Sequence, residues 1–125
     1  MKITNKNLKA KKKALVTLAC KIVHARDPHC MTCGKTMGQM HASHIIPRSR
    51  GWRYAVDVNN IIKQCARCHM QWHECPTEGV EKLRSTCPSV YEYTSDLCYS
   101  VKPVTVVEAQ EMANTLEVLA KEYGL

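Results

Sequence analysis

Histidine and cysteine are concentrated between Met40 and Glu74, where several side chains able to do chemistry lie close together in the sequence. Four of the six histidines of the chain fall in this stretch: His41, His44, His69 and His73. A neutral imidazole accepts a proton near pH 7 and also binds divalent metal ions. The segment therefore predicts a site that combines proton transfer with metal binding.

The eight cysteines divide into two Cys-x-x-Cys pairs and four single residues. The pairs are Cys30 with Cys33, and Cys65 with Cys68. Two such pairs supply the four thiolates of a closed, tetrahedral structural Zn²⁺ site, and Gly34 permits the tight turn that follows the first pair. A redox dithiol is the alternative, but it would need no second pair. The single cysteines, which we interpret as buried thiols, are Cys20, Cys75, Cys87 and Cys98.

Positive charge is confined to the first half of the chain. Residues 1–67 hold 14 Lys and Arg against 2 Asp and Glu, a net charge of +12, whereas residues 68–125 hold 4 against 9, a net charge of −5. This asymmetry predicts a nucleic-acid face on the basic half. A solvated basic surface without a partner is the alternative.

The basic N-terminus does not predict a membrane segment. Lys11–Lys13 and the apolar run that follows are similar to the start of an export signal, but Lys21 interrupts the run. The run is also shorter than the roughly 20 residues that span a bilayer. We expect a cytoplasmic protein with no membrane partner, in the host cytoplasm if a phage encodes it.

Helices are predicted at both ends of the chain. Residues 1–26 are typical of a basic amphipathic helix that Asn5 or Asn7 caps and that Asp27-Pro28 ends. Residues 77–85 predict a short helix, and residues 87–99 are ambiguous. A capping box at 105–108 opens a helix that runs to about Tyr123. Its apolar stripe, which either packs against the N-terminal helix or forms a dimer face, consists of Val107, Met112, Leu116, Leu119 and Ala120.

The central segment predicts a β-hairpin followed by a helix. Residues 39–46 form the expected first strand, residues 52–56 the returning strand, and residues 57–60 a turn rich in side chains that bond the backbone. A helix is expected from Ala66. It places His69 and His73 one turn apart on the same face.

These residues resemble the His-Asn-His motif of the HNH endonucleases, which have the ββα-metal fold. The motif positions are His44, Asn60 and His69, flanked by the two cysteine pairs, and the resemblance is strong over residues 30–74. Residues 38–68 more narrowly resemble the phage recombination proteins called NinG or Rap, which are regarded as endonucleases of branched DNA such as Holliday junctions. One departure is Ser43, where many HNH enzymes have an aspartate or histidine metal ligand.

The length of the chain predicts a single domain over residues 1–125, and the resemblance over residues 30–74 implies that it is of the α+β class. It has a basic N-terminal helix (1–29), a small zinc-stapled ββα-metal core (30–75) and a helical C-terminal extension (76–125). The implied activity is metal-dependent hydrolysis of phosphodiester bonds in DNA, which is branched if the narrower resemblance applies. The alternatives are a generic phage nicking, homing or packaging nuclease, and a non-catalytic zinc-ribbon DNA-binding protein.

The family chemistry also implies a role for each site residue. His44 is the expected general base, and Asn60 is expected to hold that imidazole or the turn in place. The candidate ligands of a catalytic Mg²⁺ or Mn²⁺ are His69, then His73, then His41, with His69 also a candidate for the zinc site. The expected contacts to DNA phosphates are Arg48, Arg50, Arg53, Lys63 and Arg67.

Overall fold

The computed structural model describes residues 1–97 and 103–125 of the chain. Cys98 and the end of the ambiguous stretch 87–99 therefore lie outside the described residues. The helices and strands are α1 (Leu8–Arg26), β1 (Met40–His44), α2 (Trp52–Ala55), β2 (Ile61–Cys65), α3 (Ala66–Glu74), α4 (Pro76–Thr86), α5 (Pro88–Asp96) and α6 (Val106–Glu122). Short 3₁₀ turns cover Arg48–Arg50 and Val58–Asn60. The predicted α+β class, with a small core between flanking helices, is confirmed.

The two strands form an antiparallel sheet that leads directly into α3. Met40 pairs with Cys65 at one end of the sheet, and His44 pairs with Ile61 at the other. The first predicted strand and the helix from Ala66 are thus present. This arrangement places the cysteines of β2 and α3 beside the start of β1, and His44 at the opposite end of the sheet.

The returning strand was predicted at the wrong place. Residues 52–56 include the short helix α2, and the partner of β1 is Ile61–Cys65. Tyr54, Ala55 and Val56 are buried one after another, so this segment has no exposed and buried alternation that would fit a sheet surface. β2 is covered on both faces and is therefore almost continuously buried, a pattern that resembles a buried helix segment as much as a strand.

The main core lies where α1 packs against α6 and one face of β2. Leu15, Ala19 and Ile22 of α1 are buried there. The buried residues of α6 are Ala109, Ala113, Leu116 and Ala120. The predicted stripe is correct at Leu116 and Ala120 but wrong at Val107, which is 68% exposed. This face of α6 is thus used inside the chain, against the N-terminal helix.

Local signals at the helix ends are partly confirmed. The capping box between Thr105 and Glu108 is present, and α1 ends before Asp27, whose backbone is extended. Asn7 stands at the N-cap position of α1 but makes no side-chain capping bond to the helix. Its Oδ1 instead accepts a hydrogen bond from the N–H of Thr4 at 2.8 Å.

A network of hydrogen bonds ties the end of α1 to β2. The carboxylate of Asp27 accepts bonds from the Arg26 guanidinium and from the backbone N–H of Lys63. The Lys63 ammonium donates to the main-chain oxygens of His24 and Asp27, at 2.8 and 2.7 Å. Lys63 was expected to contact DNA, but the structure engages its side chain within the fold.

The second face of β2 is covered by α4 and α5. Ile62 packs there against Leu83 and Cys87, so the helix expected at residues 77–85 is present and contributes a small core of its own. Of the single cysteines, Cys87 is buried as expected and Cys20 is half-buried, but Cys75 is exposed, contrary to the prediction. In the described ranges, no helix combines the length and apolar character needed to cross a membrane.

Candidate active site and metal centre

The two cysteine pairs come together at the start of the sheet. The sulfur atoms of Cys30, Cys33, Cys65 and Cys68 all lie within 4.8 Å of one another. The Sγ atoms of Cys33 and Cys65 are 3.8 Å apart. Zn–S bonds of about 2.3 Å in a tetrahedron place two sulfurs about 3.8 Å apart, so this spacing fits a zinc ion.

The surroundings of the thiols also suit a structural metal site. The N–H of Cys68 points to the sulfur of Cys65 at 3.5 Å, and Gly34 makes the turn after the first pair with a φ of 80°. Burial raises the pKa of Cys30, but backbone hydrogen bonds outweigh it and lower the pKa to about 6. Burial and the neighbouring thiols raise the pKa of Cys68. A cation is what would allow all four to ionise together.

A cleft of about 640 Å³ opens beside α3, and its lining includes none of the four clustered cysteines. Its walls come from α1, β1, the 3₁₀ turn at Arg48–Arg50, α3 and the start of α4. The lining residues are Cys20, Ala42, His44, Pro47, Arg48, Ser49, His69, Trp72, His73 and Pro76. The structure therefore brings His44 and two of the three candidate metal ligands into one cavity, beside an arginine.

His44 has a defined protonation pattern in this cleft. Its Nε2 lies 2.9 Å from the carbonyl oxygen of Ala55. A carbonyl oxygen only accepts hydrogen bonds, so Nε2 must carry the proton and Nδ1 of the neutral ring keeps its lone pair. Burial lowers the pKa of His44, the bond to Ala55 opposes this, and the charge of Arg48 lowers the pKa further. The ring is thus neutral at pH 7 and able to accept a proton at Nδ1.

Asn60 lies beneath the cleft and holds the loop that carries these groups. Its side chain is fully buried. Nδ2 donates to the carbonyl oxygens of Ile46 and Tyr54, at 2.9 and 3.0 Å, and Oδ1 accepts from the N–H of Ile46 at 2.8 Å. Because Tyr54 precedes Ala55 and Ile46 lies two residues after His44, Asn60 fixes both sides of the His44–Ala55 contact.

Three histidines form a chain, of which His69 and His73 line the cleft and His41 does not. Nδ1 of His69 is 2.7 Å from Nδ1 of His41, and Nε2 of His69 is 3.0 Å from Nε2 of His73. Burial lowers the pKa of His69, and the three neighbouring histidines lower it further, so the ring is neutral and suited to binding a metal. The two neighbours use opposite nitrogens of His69. An ion on either nitrogen would therefore have one of them as its nearest second ligand.

The donor set indicates which class of cation the cleft fits. Among the described residues that line it, none is Asp or Glu. Imidazole nitrogens suit transition metals such as Zn²⁺ or Ni²⁺, whereas Mg²⁺ requires oxygen ligands. Ser43 does not supply one, because its hydroxyl is buried, forms no hydrogen bond within the described structure and does not line the cleft.

The basic residues expected around the site differ in their placement. Arg48 lines the cleft, and Arg50 and Arg67 are exposed. Arg53 instead pairs with Glu108 at the start of α6, away from the cleft, and Lys63 is bound to main-chain oxygens as described above. Only Arg48 is therefore positioned by the described contacts to meet a phosphate inside the cavity.

Sequence reasoning missed three contributors to the cleft. Trp72 lies three residues after His69 on α3, so helical spacing could have identified it. Cys20 lines the cavity from α1, although it was predicted only to be a buried thiol. The carbonyl oxygen of Ala55 has no signal in the sequence, since every residue carries such an oxygen.

Comparison with known proteins supports the family resemblance that was predicted for the central segment. Residues 30–74 match the sequence model of a family described as HNH endonuclease. The match spans both cysteine pairs, both strands and α3 to its last residue. A search of curated proteins and a search of solved structures each gave no significant match. The predicted resemblance of residues 30–74 to the HNH endonucleases is therefore confirmed for this segment of the chain.

Proposed function

We propose, from the HNH character of residues 30–74, that this protein is a metal-dependent DNA endonuclease whose general base is His44. One observation carries the proposal. The bond from Nε2 of His44 to the Ala55 carbonyl leaves Nδ1 as a proton acceptor in a cleft that also contains His69 and Arg48. A non-catalytic fold needs no such arrangement.

The residues of the cleft divide the hydrolysis between them. Nδ1 of His44 accepts the proton that a water loses as it attacks phosphorus. Arg48 contacts the phosphate oxygens, and Asn60 holds the loop that positions the base. A divalent cation bound by His69 together with His73 or His41 would act as a Lewis acid that stabilises the phosphate and the leaving oxygen.

The cation is proposed to belong to the nitrogen-preferring transition metals. Mg²⁺ and Mn²⁺ were the expected cofactors from the family resemblance. The histidine-lined wall and the absence of carboxylates among the described cleft residues favour Zn²⁺ or Ni²⁺ instead. A metal series in the cleavage assay separates these two groups.

A second candidate function is a zinc-stapled DNA-binding protein without catalysis. The observation that favours it is Ser43, which stands at a ligand position of the family yet is buried with no hydrogen-bond partner among the described residues. The two candidates differ in one property, which is whether bound DNA is cut.

The narrower proposal is that the DNA is branched. Its support is the resemblance of residues 38–68 to phage recombination proteins, and a phage-encoded enzyme would then act in the host cytoplasm. The alternative is a generic nicking, homing or packaging nuclease that cuts linear duplex equally well.

Cleavage of a four-way junction beside a matched linear duplex tests both the nuclease activity and the preference for branched DNA. The assay uses Mg²⁺, Mn²⁺, Zn²⁺ or Ni²⁺ in turn and a sample with no added catalytic metal. His44→Ala is the test variant, and His29→Gln, whose ring bonds the carbonyl oxygen of Cys30 and does not line the cleft, is the control. Circular dichroism and zinc content verify that each variant folds.

The outcomes are distinct. Metal-dependent cutting that His29→Gln keeps and His44→Ala loses supports the nuclease, and concentration of the cuts on the junction supports the branched substrate. Equal cutting of both DNAs keeps the nuclease and removes the junction preference. Binding without cutting in every metal overturns the nuclease in favour of the binding protein.

A further inference from the structure

A second groove lies beside the cleft, along the first half of α1. Its volume is about 420 Å³. It is lined by Lys9, Lys12, Lys13, Val16, Thr17, Arg48, Ser49 and Ala55. Four of these side chains are basic, and none of these described lining residues is acidic. The groove is therefore a strongly positive channel.

The groove and the cleft adjoin each other. Arg48 and Ser49 line both cavities. Along α1, the positions 9, 13, 16 and 20 recur every three or four residues and share one face of the helix. The first three line the groove, and Cys20 lines the cleft. One helix face thus extends from the lysines to the site of the base.

The length of this face corresponds to several nucleotides. From Lys9 to Cys20 the helix rises by about 16 Å, at 1.5 Å per residue. A DNA strand carries one phosphate for about every 3.4 Å of the duplex axis. The face can therefore follow about four or five phosphates of one strand.

The three lysines are available for such contacts. In residues 1–97 and 103–125, none of them has an acidic partner within the 4.0 Å of an ion pair. Lys9 and Lys13 are exposed, and Lys12 is partly buried against the groove wall. Ammonium groups on flexible stems suit phosphates without reading the bases.

We infer that the groove along α1 binds the DNA backbone on one side of the bond to be cut. This inference rests on the proposed function and extends it. The strand enters over Lys9, Lys12 and Lys13, passes Arg48, and reaches His44 in the cleft. The lysines anchor the flanking phosphates and take no part in the chemistry.

Equilibrium binding of labelled duplex at several salt concentrations, without added catalytic metal, tests the inference. The test protein is the triple variant Lys9→Gln, Lys12→Gln, Lys13→Gln. The control protein removes the same charge from exposed lysines that do not line the groove, with Lys2→Gln, Lys6→Gln and Lys21→Gln. Glutamine preserves helix propensity, and thermal unfolding verifies that both proteins fold.

The test variant should bind at least about tenfold more weakly than wild type, and the slope of log K against log salt should fall in magnitude by about 3. The control should keep nearly the wild-type slope. In the cleavage assay, the test variant should show a raised KM and an unchanged kcat. Its defect should also disappear on a substrate shortened on one side of the cut.

A test variant that matches the control in affinity and slope overturns the inference while leaving the nuclease proposal intact. Binding does not require cutting, so the groove is tested even if the wild type cuts nothing. If the wild type neither binds nor cuts DNA, the proposed function fails, and the inference fails with it.

Discussion

The Nε2 proton of His44 is held by a main-chain oxygen and not by a side chain. No substitution at position 55 removes a backbone carbonyl, so the contact depends on the position of the loop. The residue that sets this position is Asn60, through its bonds to the peptide groups of Ile46 and Tyr54. The protonation of His44 and the burial of Asn60 lead to separate predictions.

The first prediction concerns pH. Burial and Arg48 lower the pKa of His44 from its ordinary value of 6.5, so the base stays neutral to a lower pH than an exposed histidine. At saturating metal, the acid limb of kcat/KM should have its midpoint below pH 6.5, and kcat/KM should level off as the pH rises above it. Arg48→Gln removes one lowering cause and should move the acid limb upward. A limb centred above 6.5 in the wild type would contradict this assignment.

The second prediction concerns Asn60→Asp, which keeps the side-chain shape but removes two donors. It leaves buried carbonyl oxygens unsatisfied, so the free energy of unfolding should fall by about 2–4 kcal/mol. Activity should fall at least about tenfold at temperatures where the variant is folded, with kcat affected more than KM. Denaturant titration and steady-state kinetics measure the two effects, and a stable variant with wild-type kcat would exclude the positioning role.

At the scale of elements, α3 and α4 pack together beside the cleft through a contact that the sequence does not predict. Gly79 of α4 lies directly against Trp72 of α3, and a Cβ at position 79 would stand 2.6 Å from Cε3 of that ring. Trp72 lines the cleft. The packing of α4 on α3 therefore sets one wall of the cavity.

Gly79→Ala tests this wall. The added methyl group forces the Trp72 ring to shift, and overpacking of this kind costs about 1–3 kcal/mol. We expect a lower melting temperature and a several-fold loss of cleavage. The control Glu78→Ala, at an exposed neighbouring position, should change neither. Unchanged tryptophan fluorescence and activity in Gly79→Ala would show that the ring accommodates the methyl group.

Lys63 and Arg48 provide a second comparison at this scale. Lys63→Met removes two hydrogen bonds that tie β2 to the end of α1, so it should lower the free energy of unfolding by about 1–3 kcal/mol and leave the salt dependence of DNA binding unchanged. Arg48→Gln should leave the free energy of unfolding unchanged and should weaken the salt dependence of DNA binding. A reduced salt slope in folded Lys63→Met would restore its original assignment as a phosphate contact.

At the scale of the whole molecule, the main core and the cysteine cluster stabilise different parts of the fold. The core between α1 and α6 is made of aliphatic side chains, whereas the start of the sheet is held by the cysteine cluster. Removal of zinc with a strong chelator should lower the melting temperature by at least about 10 °C and abolish cleavage. Part of the helical circular dichroism should remain. Zinc re-addition should restore the melting temperature and cleavage. Cys33→Ser should lower the melting temperature and reduce cleavage as zinc removal does.

Sequence reasoning was accurate where the signal is local. The spacing of Cys30, Cys33, Cys65 and Cys68 indicated the metal centre, and Thr105 with Glu108 indicated the start of α6. Each Cys-x-x-Cys pair and the capping box is a short stretch of chain, and the presence of two matching pairs indicated that they share one ion. In the same way, the motif spacing indicated that His44 and His69 share one site.

Sequence reasoning was inaccurate where a strand or side chain has its partner far away in the sequence. The strand that pairs with β1 begins 17 residues after His44, and an apolar run buried on both faces does not reveal whether it is a strand. Lys63 was assigned to DNA by its charge alone, since the carbonyl oxygens that bind it belong to another element. Helical spacing indicated that His73 lies beside His69, but the contact of His69 with His41 joins α3 to β1 and has no such local signal.

The hydrogen bonds of Asn60 have a consequence for how the proposed active site can change. The bonds that hold the base involve only the amide of Asn60, the carbonyl of Ala55 and the loop between the strands. They share no atom with the histidines that would bind the cation. In the proposed site, therefore, one cation can be exchanged for another, or its ligands altered by mutation, while the hydrogen bonds that hold His44 stay in place.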